Sequence, residues 1–298
     1  MNHFRNNLSR FRLITFDVTD TLLEYSMRPE LYYLQVINSV LEPRLGLSIE
    51  EKAIGTSFVR CFGKMKKQYP NFGCGRKQFS QPAFSNHKIQ DENWRWWWRT
   101  LVEQVILDAA ADSDCHAIPS PILTTIAEQL IDDYTFDAKH ICWRQRPGIA
   151  DFLKKLRIPG RIIGIVSNFD PRLEIILRNN GINRSDDVQS GAIDFILTSY
   201  DVGVEKPDPT IFEIALKRAN LLNTSSDNII RPCEALHIGN LCREDYTGAR
   251  NAGWHALLVN VTQTKKNHEL FSAIPSKYIF TGLPDLQNRM EKDASFQW

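Results

Sequence analysis

The chain has 298 residues, of which 43% are hydrophobic and 24% charged, so it is long enough for one large domain or two modest ones with a sizeable core. Its formal net charge of +1 gives no reason to expect a nucleic-acid or membrane partner, and no apolar run reaches the roughly 18 residues that a membrane helix needs. The six scattered cysteines form no C-x-x-C pair, which argues against a zinc site and favours a reduced intracellular compartment, the cytoplasm or alternatively the nucleus.

Five short apolar runs occur along the chain, and each is followed by a helical pattern. They comprise residues 13–16, 161–166, 195–198, 235–238 and 256–259. Continuous apolar runs without alternation are typical of strands that are covered on both faces. Because these strands alternate with helices, we predict an α/β fold with a doubly wound, Rossmann-like parallel sheet.

Two helix starts are marked by an acidic residue followed by proline. Asp170 precedes Pro171, and Asp208 precedes Pro209. At both places the pattern predicts an N-cap carboxylate before a proline in the first helical position. Gly181 is predicted to end the first of these helices.

The first two predicted strands are separated by far more chain than one crossover helix occupies. We therefore predict a helical cap domain inserted at residues 25–144 and a discontinuous core at residues 10–24 and 145–290. Residues 69–88 are rich in Pro, Gly, Asn and Ser and are predicted to form a loop. The helical patterns within the insertion cover residues 32–41, 50–67, 93–110 and 121–134.

One helix of the insertion carries a run of tryptophans. An apolar stripe at helical spacing is formed by Trp94, Trp97, Trp98, Leu101 and Val105. We interpret this stripe as core of the insertion, or as its contact with the sheet, rather than as an aromatic binding site. Trp96 falls off the stripe and could line a cleft or face a partner.

Polar side chains follow four of the predicted strands, at the edge where ligands bind in open α/β sheets. The first is Asp17, which comes directly after the first strand and is followed by Val18 and Thr19. An aspartate in this position can act as a nucleophile on phosphorus or carbon. The alternative is that Asp17 only caps a turn.

Ser167 and Asn168 follow the second strand, and Lys206 follows the third. A hydroxyl and an amide can hold phosphoryl oxygens, although a polar strand-to-helix turn explains them equally well. Pro207 favours an extended backbone at Lys206, so the lysine is presented just before a helix. There it can neutralise a nucleophilic carboxylate and the developing charge of a phosphate; a solvated surface lysine is the alternative.

Asn240 and Asp245 follow the fourth strand. Asp245 is predicted to open a helix and can face the site. Oxygen ligands there suit Mg²⁺, which often uses one or two carboxylates together with substrate phosphate and water. Helix capping is the competing role for Asp245.

These motifs, in this order and each at a strand end, resemble those of the haloacid-dehalogenase-like hydrolase superfamily, which has Asp-x-Asp, Ser or Thr, Lys, and Gly-Asp with a further Asp. The resemblance covers residues 11–24 and 145–260, and the insertion point matches the subfamily with a helical cap after the first strand. It implies catalytic positions at Asp17, Thr19 and Lys206. It implies substrate binding at Val18, Ser167 and Asn168. It implies a Mg²⁺ site at Asp17, Thr19, Asn240 and Asp245.

The chain departs from that pattern at two positions. Thr19 stands where family phosphatases have a second acid that protonates the leaving group and then activates water. Asp20 is acidic but one residue later, so its side chain should point elsewhere. Losing a general acid or base typically costs about 10²–10⁴-fold in rate. Asn240 stands where a metal-binding aspartate is usual, which should weaken the affinity for Mg²⁺ by at least about 10–100-fold.

Three functions remain open on this basis. The first is a Mg²⁺-dependent phosphohydrolase in which Asp17 attacks a small phosphorylated metabolite. The second is a catalytically weak or inactive relative that binds a phosphorylated ligand or a protein, which Thr19 and Asn240 favour. The third is metal-independent carbon–halogen hydrolysis by Asp17, the least supported because Asp245 is retained.

Overall fold

The computed structural model describes residues 3–75, 92–111, 118–137, 142–183, 193–223, 228–261 and 268–298. Its strands are β1 (Leu13–Phe16), β2 (Leu23–Tyr25), β3 (Trp143–Gln145), β4 (Ile162–Ser167), β5 (Phe195–Thr198), β6 (Ala235–Gly239), β7 (His255–Val259) and β8 (Ile279–Phe280). Its α-helices are α1 (His3–Asn7), α2 (Pro29–Leu45), α3 (Glu51–Gln68), α4 (Glu92–Ala109), α5 (Ser120–Phe136), α6 (Ile149–Leu156), α7 (Leu173–Asn179), α8 (Ser199–Val202), α9 (Pro209–Leu222), α10 (Gly248–Asn251), α11 (His268–Ala273) and α12 (Leu283–Lys292).

Six strands form one sheet in the order β5-β4-β1-β6-β7-β8, and every neighbouring pair is parallel. The predicted α/β fold with a parallel sheet is therefore confirmed. β8 has only two residues, too few to produce a recognisable apolar run, and the sequence pattern missed it. β2 and β3 pair in a separate two-stranded sheet.

The register of the sheet brings the motif residues to one edge. Phe16, the last residue of β1, lies opposite Ile165 of β4 and Ile238 of β6. The next backbone amide, that of Asp17, donates to the carbonyl of Ile238 at 2.9 Å. Because parallel strands end at the same side of a sheet, the residues after β1, β4 and β6 become neighbours.

Close packing between strands depends on one glycine. Gly164 lies in the middle of β4, and a Cβ added there would lie 2.3 Å from Cζ of Phe195. Phe195 is itself buried. Glycine is thus the residue that allows the ring of Phe195 to cover this part of the sheet.

The two helix starts predicted from Asp-Pro pairs have different outcomes. Asp208 is the N-cap of α9, and its side chain accepts a hydrogen bond from the amide of Thr210 at 2.9 Å, as predicted. The prediction at Asp170 is wrong, because α7 begins at Leu173 with Arg172 as N-cap. The Asp170 carboxylate instead accepts hydrogen bonds from the Arg172 guanidinium at 2.8 and 2.9 Å.

The chain divides into two compact units. The first comprises Met1–Glu24, Gln145–Asn168 and Gly181–Trp298, and it contains the six-stranded sheet. The second comprises Tyr25–Arg144 and Phe169–Asn180, so α7 belongs with the inserted helices although the sequence pattern groups it with the sheet.

Helices α2 to α5 form the core of the second unit. Trp97, Leu101 and Val105 are buried there, as the apolar stripe predicted. Trp98 has another role as well, because its indole N–H donates to the buried Asp170 carboxylate at 2.8 Å. Trp96 is only partly buried and packs edge-on against Tyr69.

Part of the predicted 69–88 loop is described: residues 71–73 form a 3₁₀ turn, and residues 76–88 lie outside the described parts of the chain. No helix in the described residues is long and apolar enough to span a membrane.

Candidate active site

Asp17 lies at the carboxyl edge of the sheet, where it is largely buried. Its Oδ1 accepts a hydrogen bond from the hydroxyl of Ser167 at 2.9 Å and from the ammonium of Lys206 at 2.7 Å. Within the described residues, no donor reaches Oδ2. One oxygen of the carboxylate is thus fixed by two partners, and the other is available.

Lys206 uses all three of its N–H donors. Besides Asp17 Oδ1, Nζ donates to the carbonyl of Val166 at 2.9 Å and to Asp245 Oδ1 at 2.6 Å. A predicted alternative, that Lys206 is a solvated surface residue, is therefore wrong, since only 4% of the residue is exposed.

Asn168 holds the backbone of Lys206. Its Oδ1 accepts from the Lys206 amide at 2.7 Å, and its Nδ2 donates to the Lys206 carbonyl at 2.9 Å. This pair of hydrogen bonds ties the residue after β4 to the segment before α9. Asn168 thereby positions the lysine, and both of its side-chain hydrogen bonds go to Lys206 rather than to Asp17.

Burial and charge set the ionisation of this cluster. Burial alone would lower the pKa of Lys206, but the carboxylates of Asp17 and Asp245 outweigh it and the pKa is raised. Burial raises the pKa of Asp17, with Lys206 acting against that shift. Burial alone would raise the pKa of Asp245, but the charge of Lys206 and the hydrogen bond from His237 outweigh burial, and the pKa is lowered. Lys206 is therefore a cation and Asp245 an anion at neutral pH.

Asp245 is saturated with hydrogen bonds. It lies in a π-helical turn, Cys242–Thr247. Its Oδ2 accepts from the amides of Asn240 at 3.0 Å and Leu241 at 2.8 Å, while Oδ1 accepts from Lys206. Asp245 lies inside the turn, whose N-cap is Leu241 without a side-chain cap, so the predictions that Asp245 opens or caps a helix are wrong. Its Oδ1 faces Lys206.

Gly239 is required for this arrangement. A Cβ added to Gly239 would lie 2.2 Å from Cγ of Asp245. Since Asp245 is fully buried, its side chain has no room to retreat. Glycine at the end of β6 therefore lets the carboxylate fold back onto the strand end.

His237 is a member of the cluster that the sequence motifs did not single out. It is fully buried in β6, with Nδ1 2.8 Å from Thr15 Oγ1 and Nε2 3.1 Å from Asp245 Oδ1. Burial lowers its pKa, so the ring is neutral. A polar ring in the middle of the apolar run Ala235-Leu236-His237-Ile238 was the available signal.

The turn after Asp17 leaves two amides open. The carbonyl of Val18 accepts from the amides of Thr21, Leu22 and Leu23 at 2.9–3.1 Å. Within the described residues, the amides of Val18 and Thr19 have no hydrogen-bond acceptor. Two free N–H groups next to the free oxygen of Asp17 can bind an anionic oxygen.

Asp20 does not join the cluster. It has a positive φ of 57°, and its carboxylate lies 3.6 Å from the guanidinium of Arg146. Arg146 also pairs with Glu24 at 2.7 Å. The predicted divergence of Asp20 from Asp17 agrees with these contacts, and Thr19 remains the residue at the second-acid position.

Two of the oxygens that the resemblance assigns to a Mg²⁺ site are open to a ligand. Asn240 Oδ1 is buried and lacks a hydrogen-bond partner among the described residues, and Asp17 Oδ2 is similarly available. In the described parts of the chain, no group of three or more His, Cys, Asp or Glu side chains is arranged to hold a metal ion. Two carboxylates and a neutral amide oxygen constitute a weak donor set for Mg²⁺.

The parallel sheet and the polar cluster at its carboxyl edge define a Rossmann-like α/β protein. A family model described as haloacid dehalogenase-like hydrolase matches residues 11–253. The chain therefore belongs to the haloacid dehalogenase-like hydrolase family, as the four motifs predicted.

Curated relatives match nearly the whole chain. The rhythmically expressed gene 2 protein of Drosophila melanogaster is 32% identical over 98% of this chain and 99% of its own length. The human haloacid dehalogenase-like hydrolase domain-containing protein 3 is 30% identical over 93% of this chain and 92% of its own.

A solved structure supports the fold. A Bacillus subtilis HAD-hydrolase, YfnB, bound to magnesium, has a TM-score of 0.56 with 15% sequence identity, and the match covers 94% of this chain and 99% of that one.

Proposed function

We propose that the protein is a slow, Mg²⁺-dependent phosphatase that acts on a small phosphorylated metabolite through an aspartyl-phosphate at Asp17. The observation that carries the proposal is the state of the Asp17 carboxylate. Oδ1 is held by Ser167 and Lys206, and Oδ2 is without a donor among the described residues. An oriented carboxylate with one free oxygen is suited to nucleophilic attack.

In the first step, Asp17 Oδ2 forms a bond to phosphorus, and the bond from phosphorus to the leaving oxygen breaks. Lys206 and the free amides of Val18 and Thr19 are placed to stabilise the charge on the transferred group. In the second step, water attacks phosphorus and the Asp17–phosphorus bond breaks. Inorganic phosphate leaves and the Asp17 carboxylate is restored.

Proton transfer is the weak point of this sequence of steps. Thr19 has no acidic proton to give to the leaving group and cannot act as a base toward water. Solvent must then supply the proton, which typically lowers the rate by about 10²–10⁴-fold. We therefore expect slow turnover and a preference for substrates with good leaving groups.

Magnesium would be held by Asp17, Thr19, Asn240 and Asp245, and it would supply positive charge next to the transferred phosphate. The open oxygens of Asp17 and Asn240 support this assignment. Because Asn240 is neutral, we expect half-maximal activity to require more magnesium than it would with an aspartate at this position.

A second candidate is a binding protein without turnover. It is favoured by Asp245, whose two oxygens already accept four hydrogen bonds from the protein. A carboxylate that is fully engaged is a poorer metal ligand. In that case the free amides of Val18 and Thr19 would bind a phosphorylated ligand that is not hydrolysed.

The proposal also covers the domain bounds, the location and the partner of the protein. We propose a core at residues 10–24 and 145–290 with a cap at residues 25–144, except that Phe169–Asn180 groups with the inserted helices. We also propose that the protein acts in the cytoplasm. A small phosphorylated molecule is the partner we propose, with no role for nucleic acid.

The test is incubation with acetyl phosphate or p-nitrophenyl phosphate, with and without magnesium, followed by intact-mass measurement and phosphate release. The proposal predicts one phosphoryl group on the wild-type chain, none on the Asp17→Asn variant, and slow release of phosphate. Binding of phosphate without any covalent product, even at high magnesium, would support the second candidate and contradict the first.

A further inference from the structure

We infer that His237, held by Thr15, is a positioning residue that orients Asp245 and through it Lys206 in the reaction of Asp17. This inference rests on the proposed function. His237 does not approach Asp17 by any hydrogen bond, so it is not itself a catalytic residue.

The surroundings of His237 require both of its ring nitrogens to be satisfied. The residue is fully buried, and the ring of Phe212 packs edge-on against it with centroids 5.1 Å apart. Thr15 of β1 lies directly opposite His237 in the parallel register. Burial therefore keeps water away from the His237 ring, and the two ring nitrogens bond to Thr15 and Asp245 instead.

These partners select one tautomer. A carboxylate can only accept a hydrogen bond, so the Nε2–H of His237 donates to Asp245 Oδ1. In a neutral ring Nδ1 then carries a lone pair and accepts, which makes the Thr15 hydroxyl the donor. The hydrogen bonds therefore run in one direction: Thr15 donates to His237, and His237 donates to Asp245.

The oxygen that His237 contacts is the one that holds the lysine. Asp245 Oδ1 accepts from His237 at 3.1 Å and from Lys206 Nζ at 2.6 Å. Its other oxygen is held by the amides of Asn240 and Leu241. With donors at both oxygens, the carboxylate cannot rotate, and Nζ of Lys206 is kept where it also reaches Asp17.

An apolar ring of the same size would fill the space but would not hold Oδ1. Removing His237 leaves one side of Asp245 Oδ1 without a donor and leaves the Thr15 hydroxyl without an acceptor. Asp245 and Lys206 could then adopt a second arrangement, and Asp17 would lose part of its alignment. Partners that orient active-site groups in this way are typically worth about 10–100-fold in activity.

The experiment compares His237→Leu, His237→Gln and Thr15→Val, with Thr135→Val as the matched control. Thr135 is also a buried threonine, but it lies in α5 and donates to the carbonyl of Ile131. Rates of Asp17 phosphorylation and phosphate release are measured with an aryl phosphate, and the urea midpoint is recorded for each variant.

We expect His237→Leu to lower kcat by about 10–100-fold with little change in KM. His237→Gln should recover most of the loss, because its amide can donate to Asp245 and accept from Thr15. The His237→Leu/Thr15→Val double variant should be no slower than His237→Leu alone, since the two residues act in series. The inference is overturned if His237→Leu is no slower than Thr135→Val, or if a folded His237→Gln variant shows no recovery.

A second measurement does not depend on turnover. Long-range ¹H–¹⁵N spectra of ¹⁵N-histidine-labelled protein should show His237 protonated at Nε2 and unprotonated at Nδ1. A ring that carries its proton at Nδ1 and none at Nε2 would contradict the inference whatever the activity, because such a ring cannot donate to Asp245. If this tautomer is found but Asp17 is never phosphorylated in the wild type, the proposed function fails and the orienting contact stands.

Discussion

Lys206 Nζ lies 2.7 Å from Asp17 Oδ1, although 189 positions separate the two residues in the chain. The same ammonium contacts Asp245, and the site is almost closed to solvent. Two carboxylates share one cation in a buried place, so each group depends on the others for its charge. Removing any one of them changes both stability and chemistry.

Lys206→Met should destabilise the protein by about 3–5 kcal/mol, because it leaves the carboxylates of Asp17 and Asp245 buried without their cation. Urea denaturation measures the change. Lys217→Met, on the exposed face of α9, is the control and should stay within about 0.5 kcal/mol of wild type. Equal midpoints for the two variants would contradict the ion-pair interpretation.

Gly239→Ala should displace the Asp245 carboxylate, since the added Cβ would lie 2.2 Å from its Cγ. We expect a loss of about 1–3 kcal/mol from overpacking, together with slower phosphorylation of Asp17. Gly63→Ala is the matched control, because nothing lies within 4 Å of its added Cβ and it sits in α3. It should gain about 0.5–1 kcal/mol. If both variants behave alike in urea, Asp245 is not tightly packed against β6.

Thr19→Asp should raise turnover, by at most about 10²–10⁴-fold, by restoring a proton donor at the second-acid position. Asn240→Asp should lower the magnesium concentration for half-maximal activity by about 10–100-fold. Steady-state kinetics over a magnesium titration separates the two effects. Asp20→Asn is the control, because Asp20 pairs with Arg146, and its kcat should stay at the wild-type value. If a Thr19→Asp/Asn240→Asp double variant turns over no faster than the wild type, the missing groups are not what limits the reaction.

The free energy of unfolding should fall as the pH decreases from about 6.5 to about 4, because His255 is harder to protonate in the folded protein than in the unfolded chain. Burial, with Arg10 and Arg250 adding to it, lowers the pKa of His255 to about 4 from an ordinary 6.5. Between these values the unfolded chain binds a proton that the folded chain does not, so stability rises with pH. Above pH 6.5 this contribution is absent.

His255→Phe keeps a ring against Phe11 and Trp298 and removes the titrating group. Its stability should depend less steeply on pH than that of the wild type across the same window. Urea midpoints at intervals between pH 4 and 7.5 measure both curves. Parallel curves would show that His255 does not titrate in this way.

Arg172→Met should destabilise the inserted unit by about 3–5 kcal/mol, because Asp170 is fully buried and the Arg172 guanidinium is its cation. The guanidinium also lies over the ring of Trp98, with its carbon 4.8 Å from the centroid. Arg178→Met, on the exposed side of α7, is the control. Five of the seven tryptophans lie in this unit, so tryptophan fluorescence during denaturation reports mainly on it. A midpoint equal to that of the control would refute the assignment.

The local pattern of the sequence determined the sheet and the edge where the polar residues gather. The apolar runs that end before Asp17 and at Ser167 could be recognised because a strand covered on both faces has to be apolar along its whole length. Lys206 does not end its strand, because α8 (Ser199–Val202) lies between β5 and the lysine. The strand predicted at 13–16 matches β1 residue for residue, and the departures at Thr19 and Asn240 are visible without coordinates.

Tertiary structure alone decided how those residues meet. His237 became part of the site because the strand order places β6 beside β1 and Thr15 opposite it. Asp170 was predicted to cap a helix but pairs with Arg172, and α7 joined the inserted unit. Local patterns record propensity and burial period, whereas these contacts depend on which distant segments become neighbours in space, and that is set by packing of the whole chain.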